Sequence, residues 1–113
     1  MIFTRVFTCM SLLGPLSGAA LADDMNALTW TEQKCVLYQR AWDWAYASVD
    51  PNGIGEEFIA DNTAFVSSGC TGNIAVCPRS AAEREMANML TVMTMSEGMA
   101  STFVPFACPD RLE

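Results

Sequence analysis

Apolar side chains recur in steps of three and four from Cys35 through Tyr38, Trp42 and Ala45 to Val49, the spacing that gathers residues on one face of a helix. Leu37, Ala41 and Trp44 widen that face. Thr29 followed by Glu32 makes a capping box, in which hydroxyl and carboxylate each serve a backbone N–H that has no partner inside the helix. The pattern predicts a first helix over Trp30 to Ser48, stopped by Asp50-Pro51-Asn52-Gly53 because the residue before a proline is pushed out of helical geometry. A second, shorter helix is expected from Glu56 to Ser68. Glu56 and Glu57 suit its positive N-terminus, Phe58, Ile59, Phe65 and Val66 give it an apolar side, and Gly69 caps its end. Ser80 with Glu83 forms a second capping box, and the third helix runs to about Glu97 with Gly98 as its stop. Its apolar side carries Ala82, Met86, Met89, Leu90 and Met93. The tail from Met99 through Phe103, Val104, Pro105 and Phe106 to Cys108 is apolar, and is expected to fold back over the helices with room for one more helical turn. The expected fold is therefore all-α: a small bundle of three main helices plus a folded-back C-terminal tail, held by two disulfides.

The first 22 residues follow a different pattern. A short, weakly positive start up to Arg5 precedes an apolar run from Val6 to Leu16, broken by Gly14 and Pro15, and then small residues ending Ala20-Leu21-Ala22. This is the layout of a cleavable secretory signal over residues 1–22, with the cut before Asp23. The apolar run falls far short of the ~20 residues that span a bilayer. No Cys follows the cut and Arg5 stands alone, which argues against a lipid anchor and a twin-arginine route. The expected mature form is one domain over residues 23–113, periplasmic or secreted, with no stable membrane insertion.

Charge narrows the partners. Residues 23–113 keep all 13 carboxylates and five of the six basic side chains, a formal charge of −8. An anionic surface repels phosphate backbones, so nucleic acid is excluded as an expected partner, while cationic partners stay open. Four cysteines remain after cleavage: Cys35, Cys70, Cys77 and Cys108. An even count in a short exported chain reads as two disulfides. Short connections favour antiparallel neighbours, which would bring Cys35, Cys70 and Cys77 to one end of the bundle. The preferred pairing is then Cys70–Cys77 with Cys35–Cys108, and the alternative is Cys35–Cys70 with Cys77–Cys108.

Candidate chemistry is sparse. The chain has no histidine, which removes the commonest general base and most zinc sites. No cofactor, catalytic residue or metal ligand is expected, and the protein is read as non-enzymatic. Asp50, Asn52, Gly55 and Asp61 match positions of a calcium loop, but Ile54 and Phe58 stand where ligands belong, so a turn followed by an acidic helix start is the better reading. Met86, Met89 and Met93 share a helical face, and thioethers bind Cu(I), but the same spacing is that of an adaptable core. Tyr38 and Trp42 are expected to face inward. Trp44 and Tyr46, two residues apart, point in different directions, so one of them should be exposed. The candidate contact surface is Trp44, Tyr46, Met95 and Met99, since exposed aromatics and Met are favoured at interfaces.

The expected function is that of a small exported accessory protein which binds an unidentified protein through this aromatic and Met-lined surface. In size and helical architecture the chain is similar to the small periplasmic acid-stress chaperones of the HdeA type, with Trp30-Thr31 ahead of Cys35 as an echo in sequence. That likeness implies an acid-responsive holdase as the alternative. The chain departs from those proteins in having four mature cysteines rather than two and in its acidity. Copper binding by the third-helix methionines is the third reading.

Overall fold

The computed structural model describes residues 25–109. The expected signal segment, residues 1–22, and its expected cleavage site lie outside the described residues. Among the described residues three helices follow in order from Trp30: α1 (Trp30–Ala47), α2 (Glu56–Ser67) and α3 (Ala81–Ser96), with a 3-10 turn, Pro51–Gly53, between the first two. Both capping boxes form. Thr29 and Ser80 each accept from the backbone N–H three residues on, and Glu32 and Glu83 each reach back to the cap backbone. Asp50 caps the 3-10 turn by accepting from the Asn52 N–H at 3.0 Å. This ties Asp50 to the turn while Asp61 sits inside α2, so the calcium-like spacing resolves into a turn and a helix. Gly69 and Gly98 take positive φ (77° and 91°) just past the ends of α2 and α3, where a side chain would strain the backbone.

Tyr38, fully buried on α1, is the centre of the core. Its ring meets Phe65 of α2 and Phe103 of the tail edge-on, at 5.3 and 6.0 Å between centroids. A second layer stacks Trp42, Phe58 and Phe106 at 5.5 and 6.1 Å. Rings from α1, α2 and the tail therefore share both layers, so burying either one fixes all three segments together. Met86, Leu90 and Thr94 of α3 close the core from the other side. The Thr94 hydroxyl, buried there, donates to the Leu90 carbonyl at 2.8 Å and so leaves no unmet polar group.

The tail does fold back, with turns and a single parallel bridge, Val76 to Phe106, in place of a further helical turn. The Val76 N–H donates to Pro105 O (2.9 Å) and the Ala107 N–H to Val76 O (3.2 Å). That bridge corrects the preferred disulfide pairing. The bonds formed are Cys35–Cys70 and Cys77–Cys108, with Cα–Cα distances of 5.4 and 4.7 Å.

The reason lies in the connection after α2. Residues 71–79 contain no helix and reach up to ~30 Å at ~3.3 Å per residue, whereas the 12 residues of α2 are only ~18 Å long. The chain thus walks back along α2, and α3 begins beside Gly53 and Gly55, at the far end from Cys70. Ser80 Oγ donates to Gly53 O there, and the Gly55 N–H donates to Glu83 Oε2 at 2.8 Å. So α3 runs parallel to α2 and antiparallel to α1. Cys77, one residue past Val76, meets Cys108, two past Phe106, in the parallel register. Cys70 holds a left-handed conformation (φ 58°), unusual for a residue with a side chain, and its disulfide to α1 fixes it there.

Candidate functional site

The packing of α1 against α3 has an inner and an outer side. On α3 the row Met86, Leu90 and Thr94 is buried, and the neighbouring row Met89, Val92 and Met93 is left outside it. On α1, Cys35, Tyr38, Ala41 and Ala45 face inward, and Leu37, Arg40 and Trp44 border the same outer seam. Two adjoining shallow grooves result. One, of about 390 Å³, is lined by Trp44, Asn88, Met89, Val92 and Met93 and is almost wholly apolar. The other, of about 310 Å³, runs on from Trp44 and Met93 past Leu37 and Ala41 to Arg40 and Glu97. Trp44 is 58% exposed and Val92 64% exposed. Single exposed apolar side chains are ordinary, but here two from different helices border one continuous groove.

The sequence-predicted contact residues separate in the structure. Trp44 stands in the groove. Met95 is 50% exposed but lies two residues from Met93, on another side of α3. Tyr46 is partly buried and packed against the core. Met99 is 5% exposed and belongs to the interior, where its N–H donates to Thr94 O at the end of α3. Met89 and Met93, expected on the core side, are partly buried and pack against the core while also lining the groove, and Val92 is the groove residue that the sequence reading lacks. The signal was present: Val92 falls on the helical wheel beside Met89 and Met93 and away from Met86 and Leu90.

The groove carries few groups that do chemistry. Arg40 and Glu97 place opposite charges at one end. Met86 is fully buried while Met89 and Met93 are partly exposed, so the three thioethers do not share one open face. Among the described residues no group of three or more His, Cys, Asp or Glu side chains is placed to hold a metal ion.

The perturbed ionisable groups are structural. Burial pushes the Tyr38 phenol far above its ordinary range, so it remains a donor and gives its proton to Asn62 Oδ1 at 2.6 Å. Burial also acts to raise the pKa of Glu83. The backbone N–H groups of Arg79, Gly55 and Ser80, with the nearby Arg79 charge, outweigh it and hold the carboxyl below the usual range.

Comparison with family models, curated proteins and solved structures finds no match. Two disulfides fit an extracellular or otherwise oxidising compartment. No helix among the described residues is long and apolar enough to cross a membrane.

Proposed function

We propose that this chain is an exported, non-enzymatic accessory protein, periplasmic or secreted, which binds a protein partner through the outer α1–α3 face. The observation that carries the reading is the exposed apolar groove under Trp44 and Val92, with Met89 and Met93 as its floor. Flexible thioethers beside a rigid indole suit a contact that adapts to its partner. A groove between two antiparallel helices fits an amphipathic helix with an apolar stripe. The acidity of the whole chain favours a partner segment with basic residues flanking that stripe. The test is recovery of partners with tagged full-length protein against the Trp44→Ser/Val92→Asp double variant. A partner retained by wild type and lost by the variant supports the reading; identical recoveries reject it.

An acid-responsive holdase is the second reading, favoured by Glu83. This buried carboxylate ties the Gly55 backbone to the start of α3, and protonation weakens that tie. The two disulfides restrain the opening that a holdase needs, and this ranks it second.

A further inference from the structure

A second site lies between α1 and α2, away from the α1–α3 groove. It is a recess of about 220 Å³ bordered by Gln39, Trp42 and Asp43 on α1 and by Asn62, Thr63 and Val66 on α2. That is below the ~300–1,000 Å³ of drug-sized pockets, which restricts a ligand to about one ring.

Asn62 defines its chemistry. The residue is only 5% exposed, and its Oδ1 is held by the buried Tyr38 hydroxyl. Its Nδ2 makes no hydrogen bond among the described residues, and no buried side-chain nitrogen or oxygen there lacks a partner. Nδ2 is therefore reached by solvent, and the recess is the cavity that Asn62 lines, with the amide fixed in direction by the Tyr38 hydroxyl. Most of the surrounding groups accept, and Ser67, also in the lining, carries a hydroxyl that can donate or accept. Gln39 spends its Nε2 on Cys35 O, which leaves Oε1 over, and Thr63 gives its hydroxyl proton to Ile59 O, which leaves its lone pairs. Asp43 is an exposed carboxylate at the rim. Trp42 forms an aromatic wall braced by Phe58 at 5.5 Å.

A fixed donor at the floor, acceptors around it and an indole wall complement a ring whose hydroxyls both accept and donate and whose C–H face is apolar. We propose that this recess is a binding site for a neutral pyranose sugar. An anion is opposed by Asp43, with no basic side chain lining the recess. A simple ammonium is opposed by the Asn62 amide hydrogens, which point where the cation would sit. Tyr38 acts as a positioning residue, since without its hydroxyl the Asn62 amide is free to turn.

The test is titration of the full-length protein with methyl β-D-glucopyranoside and with N-acetylglucosamine, followed by tryptophan fluorescence and by broadening of the sugar proton resonances. Saturable binding near 1 mM is expected, a ligand efficiency ordinary for so few polar contacts. Asn62→Asp, which replaces the donor with an acceptor of the same shape, should weaken it at least ~10-fold, the loss expected for one buried hydrogen bond. Asp43→Asn, at an exposed position that leaves the fold intact, should weaken it by about threefold, and Tyr38→Phe should act like Asn62→Asp while circular dichroism stays folded. No saturation by either sugar up to ~50 mM overturns the proposal. So do equal affinities for wild type, Asn62→Asp and Asp43→Asn, or binding of methylammonium in preference to the sugars. Loss of the α1–α3 partner does not bear on this result, because the two sites share no lining residue.

Discussion

Replacing Glu83 by Gln should destabilise the protein strongly at neutral pH and hardly at all in acid. Glu83 is 6% exposed. Its Oε2 accepts from Gly55 N–H at 2.8 Å, and its Oε1 from Arg79 N–H at 2.8 Å and Ser80 N–H at 3.3 Å. Both oxygens are thus engaged by donors, and an isosteric amide must turn its own N–H₂ towards one set of them. Hydrogen bonds to a charged group contribute ~1.5–3 kcal/mol, and an unmet buried N–H costs ~1–3 kcal/mol, so the loss should be about 2 kcal/mol. For a domain of this size that lowers Tm by roughly 8–16 °C. The pH dependence follows from the direction of the shift. A carboxyl whose folded pKa is depressed adds stability that is fully present above its unfolded value, near pH 4.3, and is lost as pH falls through the lower folded value. Below both values the wild-type side chain is a neutral acid that resembles Gln, so the gap between the two proteins should shrink below ~1 kcal/mol. Urea unfolding at pH 7 and pH 2, with exposed Glu85→Gln as the control expected within ±0.5 kcal/mol, measures this. A Glu83→Gln protein as stable as wild type at pH 7, or a gap of the same size at both pH values, would show that the Glu83 charge does not hold these N–H groups.

Three further outcomes are expected. Non-reducing proteolysis and mass spectrometry should recover peptides linked Cys35–Cys70 and Cys77–Cys108 and none linked Cys70–Cys77; opening either bond, each closing a loop of more than 30 residues, should cost about 3–4 kcal/mol. Gly53→Ala should cost ~1–3 kcal/mol by thermal unfolding, because the added carbon falls 2.7 Å from Ala82 Cβ and forces α3 away from the 3-10 turn; a neutral result would mean that this contact is not close. Between pH 7 and pH 2 the near-ultraviolet dichroism of the Tyr38–Phe65–Phe103 cluster should persist without a rise in ANS fluorescence, whereas reversible exposure of apolar surface with protection of an acid-labile client below about pH 3 would promote the holdase reading.

The helices were legible because their signals are local. Both capping boxes, the acidic start of α2 and the glycines after α2 and α3 act within one turn of chain, and each appears where the sequence placed it. The pairing of the cysteines was not legible, because it depends on whether residues 71–79 form a tight loop or an extended return. No local signal distinguishes these, and the outcome follows from Val76 pairing with Phe106, 30 positions away. The candidate surface was half legible for a similar reason. Periodicity marks α3 as apolar over a broad arc, but the angle at which α1 lies on it decides which part is covered. Met86 and Leu90 went inside, and Met89, Val92 and Met93 stayed at the edge. Met99 entered the core because the left-handed turn at Gly98 directs the chain back across the end of α3. The recess at Asn62 had no sequence signal, since it needs Tyr38 and Asn62, from different helices, to meet at 2.6 Å.

Site-specific photo-crosslinking in the native compartment shows whether the outer α1–α3 face holds a protein partner. A benzophenone amino acid placed at Val92 probes the groove, and one at Ala60, an exposed position on α2 outside the groove, serves as reference. A discrete crosslinked species is expected from position 92, absent from position 60 and lost when Trp44→Ser is added. No crosslink from position 92, or the same species from both positions, would contradict a partner held on this face.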